Sequence, residues 1–257
     1  DIPGLELAGE VAALGPGATR FGEGHRVMAI VAGGGQAELA VVHERVLMPV
    51  PEGVDWPQAG GIPEVFTTAH DALFTQAGLK AGERLLVHGA AGGVGTAAVQ
   101  LGRAVGAEVV GTVRNEELRP RVEELGARAI APDGFEEHGP FDVVLELVGA
   151  PNLAANVGAL ATRGRIVVIG VGGGAKAELN LLGLMSARGR IMASTLRARP
   201  LEEKADTARQ VEKHVLPLIE SGTVKVPVAD TFPLDEAEAA YNRFAEGGKF
   251  GKIVLTA

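Results

Sequence analysis

The residues with the clearest chemical meaning are three glycines, Gly89, Gly92 and Gly95, at a spacing of three. They follow an apolar run that begins at Leu85 and lead directly into a helical pattern. Glycine has no Cβ atom, so the backbone can turn sharply and approach a phosphate, and the free N–H groups at the start of the helix stabilise negative charge. The spacing therefore predicts a dinucleotide-binding turn formed by Gly89, Ala90, Ala91, Gly92, Gly93, Val94 and Gly95.

The alternative interpretation of this turn is structural. In a chain with 37 glycines the spacing could arise by chance, or form a tight strand-to-helix connection without a ligand. The apolar run before it, the helical pattern after it and the further alternating units favour the binding interpretation.

The end of the next apolar run indicates which dinucleotide is bound. A carboxylate at that point accepts a hydrogen bond from a ribose 2′-hydroxyl group but repels a 2′-phosphate. Here the run ends with Val113 and Arg114, so a guanidinium stands where the acid is expected. Arg114 favours NADPH over NADH. Glu116 and Glu117 weaken the local positive field, and the alternative is that Arg114 only ends a strand in solvent.

The elements that must position these residues alternate along the middle of the chain. Short apolar runs rich in β-branched residues are separated by helical patterns, and the runs are Leu85–His88, Val109–Val113, Arg128–Ala131 (weak), Phe141–Val148, Arg165–Ile169 and Arg190–Leu196. Continuous apolarity at this length is typical of strands buried on both faces, and helices between them give right-handed parallel crossovers. The pattern predicts an α/β fold with a doubly wound parallel sheet.

The first 62 residues have a different pattern. Glycine and proline turns separate short stretches such as Arg26–Val31 and Glu38–Val42, both of which are predicted to be strands. Closely spaced turns without helical periodicity predict part of a small all-β barrel.

The last part of the chain combines helices with one strand. Helices are predicted over Leu201–Ser221 and Leu234–Ala245, followed by a strand over Lys252–Thr256. Tyr241, the only tyrosine, and Phe244 lie at an amphipathic spacing in the second helix. Tyr241 is therefore predicted to be a core residue.

The composition excludes several functions. The chain has no cysteine, which excludes thiolate zinc sites, iron–sulfur clusters and cysteine nucleophiles. A net charge of −8 argues against a nucleic-acid partner, because that affinity comes from clustered Lys and Arg. The chain has 46% hydrophobic residues, no apolar run of bilayer length and no leader pattern, so we expect a soluble, cytoplasmic protein without a membrane partner. We expect its substrate to be a small molecule.

Several ordered blocks along the chain carry a family resemblance. They are Pro3–Val11, Met48–Gly53, Ile62–Glu64 with Thr68 and Ala69, Gly89–Gly95, and Gly251–Leu255. Together they resemble the medium-chain dehydrogenase/reductase superfamily, and within it the zinc-free quinone oxidoreductases similar to zeta-crystallin. The branch most similar is the one that includes the tumour-suppressor-inducible quinone oxidoreductase.

The resemblance implies two domains and further cofactor contacts. A partial GroES-like barrel would comprise residues 1–62 and 199–257, a Rossmann domain that binds NADPH would comprise residues 63–198, and the active site would lie in the cleft between them. The matching positions imply cofactor contacts from Thr68, Val148, Gly149, Gly170, Val171, Gly172, Leu196, Phe250, Gly251 and Lys252.

Two of these positions have alternative interpretations. Thr68 is expected to open the helix that leads to the Rossmann domain, where its hydroxyl could be only a cap. Lys252 could be only a solvated charge at the start of a strand.

The tyrosine and asparagine that relatives place beside the nicotinamide precede the block at Pro3, so no catalytic residue is assigned. His88 is expected to make a structural hydrogen bond rather than to transfer protons.

The resemblance also bears on metal content and on the reaction. Zinc-dependent members carry His and Cys where this chain has Leu5 and Glu64, and a catalytic zinc needs three protein ligands, so no metal is predicted. Without a Lewis acid the acceptor must itself delocalise the incoming charge, as quinones and conjugated enones do. We therefore predict NADPH-dependent reduction of a quinone or enone.

Alternatives to this function stay open at this point. One is an enoyl-thioester reductase of the same superfamily, and the other is a protein that binds NADPH without turnover. The resemblance further implies a homodimer that pairs through the last strand of the Rossmann sheet, here Arg190–Leu196.

Overall fold

The computed structural model describes residues 2–257. Two compact units account for this part of the chain. One contains the residues up to Thr67 together with Leu196–Ala257, and the other contains Thr68–Thr195. The predicted domain limits at residues 62/63 and 198/199 stay a prediction.

The strands, in chain order, are β1 (Glu6–Glu10), β2 (Arg26–Ile30), β3 (Met48–Pro49), β4 (Arg84–Val87), β5 (Glu108–Thr112), β6 (Arg128–Ile130), β7 (Phe141–Glu146), β8 (Leu160–Val168), β9 (Arg190–Ala193), β10 (Val228–Pro233) and β11 (Lys252–Thr256).

The α-helices are α1 (Trp56–Gly60), α2 (Pro63–His70), α3 (Gly93–Ala104), α4 (Arg119–Glu124), α5 (Leu153–Gly158), α6 (Leu181–Ala187), α7 (Leu201–His214), α8 (Leu216–Glu220) and α9 (Ala237–Glu246). A π-helical stretch, Asp71–Gln76, continues α2.

A six-stranded parallel sheet forms the centre of the Thr68–Thr195 unit. Its spatial order is β6-β5-β4-β7-β8-β9, so the winding reverses between β4 and β7. Leu86, Val144 and Ile166 on three neighbouring strands are fully buried in its core. The predicted α/β fold with a doubly wound parallel sheet is confirmed, although β7 and β9 end earlier than predicted and β8 begins earlier, at Leu160.

Close packing of α3 on this sheet depends on a glycine within the helix. A Cβ atom at Gly102 would lie 2.7 Å from Leu85 Cδ2 and 3.1 Å from Val109 Cγ2. The bare backbone therefore lets α3 approach β4 and β5 closely. The contact lies near the C-terminal end of α3 and the amino ends of the two strands.

The other unit contains two small sheets. Strands β1, β2 and β3 form an antiparallel sheet, and β10 pairs in parallel with β11. Val27 and Ala29 on β2 pack with Val46 and Leu47 in a small buried cluster. No helix within residues 2–257 is long and apolar enough to cross a membrane.

Three predictions for this unit are wrong. The predicted strand Glu38–Val42 is not formed, and Leu39 within it is 79% exposed. An alternating pattern forms a strand only where a neighbouring strand accepts and donates its backbone hydrogen bonds. The helix predicted over Leu201–Ser221 is broken at Val215, since Pro217 lacks the N–H group that would continue it.

The third concerns Tyr241, which is 50% exposed rather than buried. Its hydroxyl donates to Gln36 Oε1 at 3.1 Å. Phe244, on the same helix, is 58% exposed and lies under the Lys249 ammonium, whereas the small Ala240 is the buried residue of α9. The buried stripe of α9 is therefore narrower than the amphipathic spacing predicted.

Candidate functional site

The glycine turn connects β4 to α3. Gly89 adopts a left-handed conformation with φ of +63°, which favours glycine, and Gly92 is the N-cap of α3 in an extended conformation. No side chain caps this helix at Gly92. The first-turn N–H groups of an α-helix have no acceptor within the helix, so those of Gly93, Val94 and Gly95 are donors for an anion.

The turn has no space for a side chain at Gly95. A Cβ atom there would lie 2.3 Å from the Gly89 carbonyl oxygen and 2.7 Å from Ala90 Cα. A Cβ atom at Gly111 on β5 would lie 2.7 Å from Ala90 Cβ. Gly95 and Gly111 therefore let the turn pack against α3 and β5, which brings its backbone to the carboxyl edge of the sheet.

The segments after β5, β7 and β8 lie at the same edge, because parallel strands share their direction. Arg114 follows β5 and is exposed. Gly149 follows β7, is buried, and has a φ of +110°. Gly170 to Gly172 follow β8, and Val171 is 51% exposed. The structure thus brings together the predicted residues of this unit, with the exception of Thr68, at one edge.

Two of these segments interlock through their backbones. The Gly170 N–H donates to the Glu146 carbonyl at 3.1 Å, and the Gly173 N–H donates to the Val148 carbonyl at 2.8 Å. A Cβ atom at Gly149 would lie 2.6 Å from the Gly174 carbonyl oxygen. Glycine at position 149 therefore allows the two segments to meet.

The other predicted residues lie elsewhere. Thr68 does not open a helix, because α2 begins at Pro63, a residue suited to the first helical position. Leu196 and Phe250 are buried in the other unit, and a Cβ atom at Gly251 would lie 2.2 Å from the Pro227 carbonyl oxygen. The contacts that these residues are expected to make with a cofactor stay predictions.

Lys252, the remaining predicted residue, is ion-paired in the structure. Its ammonium Nζ forms an ion pair with Glu6 Oε1. Glu6 Oε2 also accepts the Glu64 N–H at 2.8 Å. The alternative of a merely solvated charge is wrong for Lys252, because the ammonium has a carboxylate partner, and its predicted role with phosphate stays a prediction.

A buried polar network at the carboxyl edge was not foreseen from the sequence. The side chains of His88, Thr112, Glu146 and Asn156 are each at most 3% exposed. His88 Nδ1 lies 3.2 Å from Thr112 Oγ1, His88 Nε2 lies 2.8 Å from Asn156 Oδ1, and Asn156 Nδ2 donates to Glu146 Oε2 at 2.7 Å. The Gly89 N–H donates to Thr112 Oγ1 at 3.2 Å.

The Glu146 carboxylate has further donors on the loop that follows β7. Its Oε1 accepts the Val148 N–H at 2.6 Å, the Gly149 N–H at 2.8 Å and the Asn152 Nδ2 at 3.3 Å. The signal in the sequence was a charged residue directly after the apolar run Val143–Leu145, since a buried charge requires partners.

His88 is held in a dry environment. Burial lowers the pKa of its imidazole, and this outweighs the raising effects of the Glu146 charge and of the hydrogen bond with Asn156. The Phe135 ring packs edge-on against it, with ring centroids 4.6 Å apart. The expectation that His88 makes a hydrogen bond at the end of the first strand of this sheet agrees with this geometry.

The residues present do not form a zinc site but do suit a dinucleotide. No group of three or more His, Asp or Glu side chains within residues 2–257 is close enough to hold a metal ion. Leu5 has no ligating atom, and Glu64 is a single carboxylate. The absence of a metal from the enzyme stays a prediction. The cradle between Gly89 and Gly95, by contrast, leaves backbone donors where a diphosphate needs them.

Comparisons with known proteins agree with this architecture. Residues 1–52 match the family model "Alcohol dehydrogenase GroES-like domain", and residues 125–255 match "Zinc-binding dehydrogenase". The human quinone oxidoreductase is 31% identical over 98% of this chain and 79% of its own length. The solved structure of the quinone oxidoreductase from Thermus thermophilus, reported also in complex with NADPH, is 32% identical with a TM-score of 0.86, covering 100% of this chain and 81% of that one.

A stretch of a much larger protein is also similar. The spectinabilin polyketide synthase system protein NorB of Streptomyces orinoci is 34% identical over 98% of this chain, which corresponds to 12% of NorB.

A doubly wound sheet with a glycine turn at its switch point, joined to a GroES-like sequence, defines the class of medium-chain dehydrogenases/reductases. The chain belongs to this oxidoreductase superfamily and, within it, to the zeta-crystallin-like quinone oxidoreductase family. The narrower assignment to the tumour-suppressor-inducible branch stays a prediction.

Proposed function

We propose that this protein reduces quinones or other conjugated carbonyl compounds with NADPH, without a metal. The observation that carries the proposal is the turn from Gly89 to Gly95, where the missing Cβ atoms and the uncapped start of α3 provide a backbone cradle for a diphosphate. The similarity to a quinone oxidoreductase reported in complex with NADPH supports the choice of ligand.

Each end of the cofactor has candidate residues at the same sheet edge. The diphosphate would accept the N–H groups at the start of α3, and Arg114 would bind the 2′-phosphate after β5. The Val148–Gly149 and Gly170–Gly172 segments would hold the nicotinamide half. When bound, NADPH supplies the hydride.

The acceptor follows from the residues available. This chain has no cysteine and carries Leu5 and Glu64 where zinc-dependent relatives place ligands, so a simple ketone would lack a Lewis acid to polarise it. A quinone or conjugated enone delocalises the incoming negative charge over its own atoms, and hydrogen-bond donors then suffice.

The substitution Arg114→Asp tests the cofactor assignment. Loss of a charge-assisted contact and addition of a repelling carboxylate should raise the Kd for NADPH by about 10-fold or more, while the Kd for NADH changes little. Titration of nicotinamide fluorescence measures both constants. Arg128→Asp, with the same charge change at the amino end of β6, is the matched control and should leave both Kd values unchanged. An equal effect of Arg114→Asp on the two cofactors contradicts the proposed role.

Reduction of an enoyl thioester is the second candidate, and the similarity to a stretch of a polyketide synthase system protein favours it. Turnover of a quinone panel should exceed that of a trans-2-enoyl thioester if the first proposal is right. The reverse ratio supports the second candidate. Tight NADPH binding without oxidation by any acceptor supports a non-catalytic binding protein.

We further propose that two copies pair through β9. This strand forms one edge of the six-stranded sheet. The helix that precedes it, α6, packs on β8 and leaves Leu181, Leu182 and Met185 between 63% and 71% exposed. An open strand edge flanked by apolar side chains is suited to a two-fold interface that continues the sheet.

Analytical ultracentrifugation tests this pairing. The unmodified protein should sediment as a dimer and the double variant Leu182→Lys/Met185→Lys as a monomer. Leu39→Lys, at an apolar residue that is 79% exposed in the other unit, should leave the dimer intact. A monomeric unmodified protein would overturn the proposal.

A further inference from the structure

We propose that Glu146 and His88 are positioning residues, which join the Gly89 turn to the Val148–Gly149 loop through one continuous chain of buried hydrogen bonds. The chain would hold the diphosphate-binding and nicotinamide-binding parts of the edge at a fixed separation. The inference rests on the proposed function, because it takes this edge to be the NADPH site.

The donors and acceptors along the chain have one consistent arrangement. Asn156 Nδ2 donates to Glu146, so Asn156 Oδ1 faces His88 and accepts. His88 Nε2 therefore carries the hydrogen. In a neutral imidazole Nδ1 is then an acceptor for the Thr112 hydroxyl, and the oxygen of that hydroxyl still accepts the Gly89 N–H.

A neutral imidazole agrees with the environment of His88, whose pKa is lowered by burial. At the other end, the partners of the Glu146 carboxylate on the β7 loop are all donors, namely the Val148 and Gly149 N–H groups and the Asn152 amide. Each polar atom along the chain thus has one role, so a change at one member alters the fit of the next.

The position of this chain of hydrogen bonds in the sheet indicates why the Glu146 carboxylate is kept although it is buried. Glu146 ends β7 and His88 follows β4, the two strands between which the winding of the sheet reverses. Doubly wound sheets bind ligands at this switch point. Apolar side chains would fill the same space at lower desolvation cost, but they would leave the Val148 and Gly149 N–H groups without the acceptor that orients them.

The test uses substitutions that break and then restore the match of donor and acceptor between residues 146 and 156. Glu146→Gln places an amide donor opposite the Asn156 amide donor, and Asn156→Asp places two carboxylates against each other. The double variant Glu146→Gln/Asn156→Asp restores one donor against one acceptor, and its new carboxylate still accepts from His88. The matched control is Asp142→Asn, a carboxylate at the opposite end of β7 that accepts the Arg84 N–H.

Three quantities are measured for each purified variant: the Kd of NADPH, the Kd of 2′-phospho-ADP-ribose, which lacks the nicotinamide, and the single-turnover rate of hydride transfer to a quinone. For each single variant we expect the Kd of NADPH to rise about 10-fold and hydride transfer to slow, because the mismatched contact at position 156 displaces the side chain at position 146 from the Val148 and Gly149 N–H groups. The Kd of 2′-phospho-ADP-ribose should change less than about twofold. The double variant should recover to within about threefold of the unmodified protein, and Asp142→Asn should leave the ratio of the two Kd values unchanged.

The outcomes separate this inference from the proposed function. If the unmodified protein does not bind NADPH, the proposed function fails. If it binds NADPH but the single variants lower only the melting temperature and leave the ratio of the two Kd values unchanged, the network is merely structural and the inference fails. If a single variant does not fold, Thr112→Val and Thr112→Ser replace it. Thr112→Val should weaken binding of both ligands, because the Gly89 N–H loses its acceptor, and Thr112→Ser should bind them as the unmodified protein does. Equal behaviour of the two variants overturns the inference.

Discussion

The two units of this chain differ in how completely their strands are paired. In the Thr68–Thr195 unit β4 has neighbours on both sides, and Leu86 and Leu145 on adjacent strands are fully buried. In the other unit Leu39 is 79% exposed and Val41 is fully exposed. The same apolar residue types therefore form a strand at β4 and an irregular segment at residues 38–42, because β4 has hydrogen-bonding neighbours and the segment has none among the described strands.

The difference extends to the surfaces of the two units. The unit that contains β1 carries an open groove of about 1610 Å³, lined among others by Leu5, Leu7 and Leu14. The parallel sheet of the other unit instead ends in closely packed glycine segments. A substitution that changes the volume of a side chain should therefore affect stability and binding strongly at the sheet and only weakly at the groove.

Leu145→Ala and Leu39→Ala should show the largest contrast. Truncation of a fully buried leucine leaves a cavity and should lower the free energy of unfolding by about 2–5 kcal/mol. Leu39 is mostly exposed, so its truncation should change stability by less than about 0.5 kcal/mol. Urea unfolding followed by circular dichroism measures both. A comparable loss in the two variants would remove the distinction between the units.

Gly95→Ala and Gly9→Ala sharpen the comparison at the backbone. The Cβ atom added at Gly95 would lie 2.3 Å from a carbonyl oxygen, whereas none of the surrounding atoms lies within 4 Å of one added at Gly9 on β1. Gly95→Ala should cost about 1–3 kcal/mol and abolish measurable NADPH binding, because the turn must open to admit the methyl group. Gly9→Ala should leave both properties unchanged. Tight NADPH binding by Gly95→Ala would show that the ligand does not use this turn.

Glu83→Gln and Glu44→Gln compare two carboxylates whose pKa values are both lowered. The pKa of Glu83 is lowered chiefly by its hydrogen bonds with Arg165, and that of Glu44 by the backbone N–H groups of Arg20 and Thr19. Glu83 meets Arg165 in a paired contact of 2.8 and 2.9 Å. The guanidinium keeps carbonyl acceptors, so Glu83→Gln should cost about 1 kcal/mol at neutral pH.

The pH dependence follows from the sign of the shift. A carboxyl group with a lowered pKa in the folded state stabilises the fold above its unfolded pKa, and the contribution is lost as the pH falls through the folded value. The difference in the free energy of unfolding between the unmodified protein and Glu83→Gln should therefore shrink below pH 4.5, the usual value for the group. Glu44→Gln should have a smaller effect, because its carboxylate lies near solvent. Equal effects of the two substitutions at pH 7 would contradict this order.

Much of the sheet could be predicted because its signals are local. Each of its strands contains a short apolar stretch, and the turn from Gly89 to Gly95 is contiguous in sequence. Errors concentrate where a neighbour decides the outcome. Glu38–Val42 has a strand pattern but no pairing partner among the described strands, and Tyr241 has a core spacing but faces solvent.

The sequence by itself determined the class of fold and the place of the glycine turn, since apolar periodicity and missing Cβ atoms act on the residues that carry them. Only the tertiary structure decided that His88 meets Asn156, 68 positions further along, and that Thr112 meets His88 across 24 positions. Hydrogen bonds depend on the distance between atoms in space. Parallel pairing of β5, β4 and β7 brings Thr112, His88 and Glu146 to one edge, and the packing of α5 places Asn156 between His88 and Glu146.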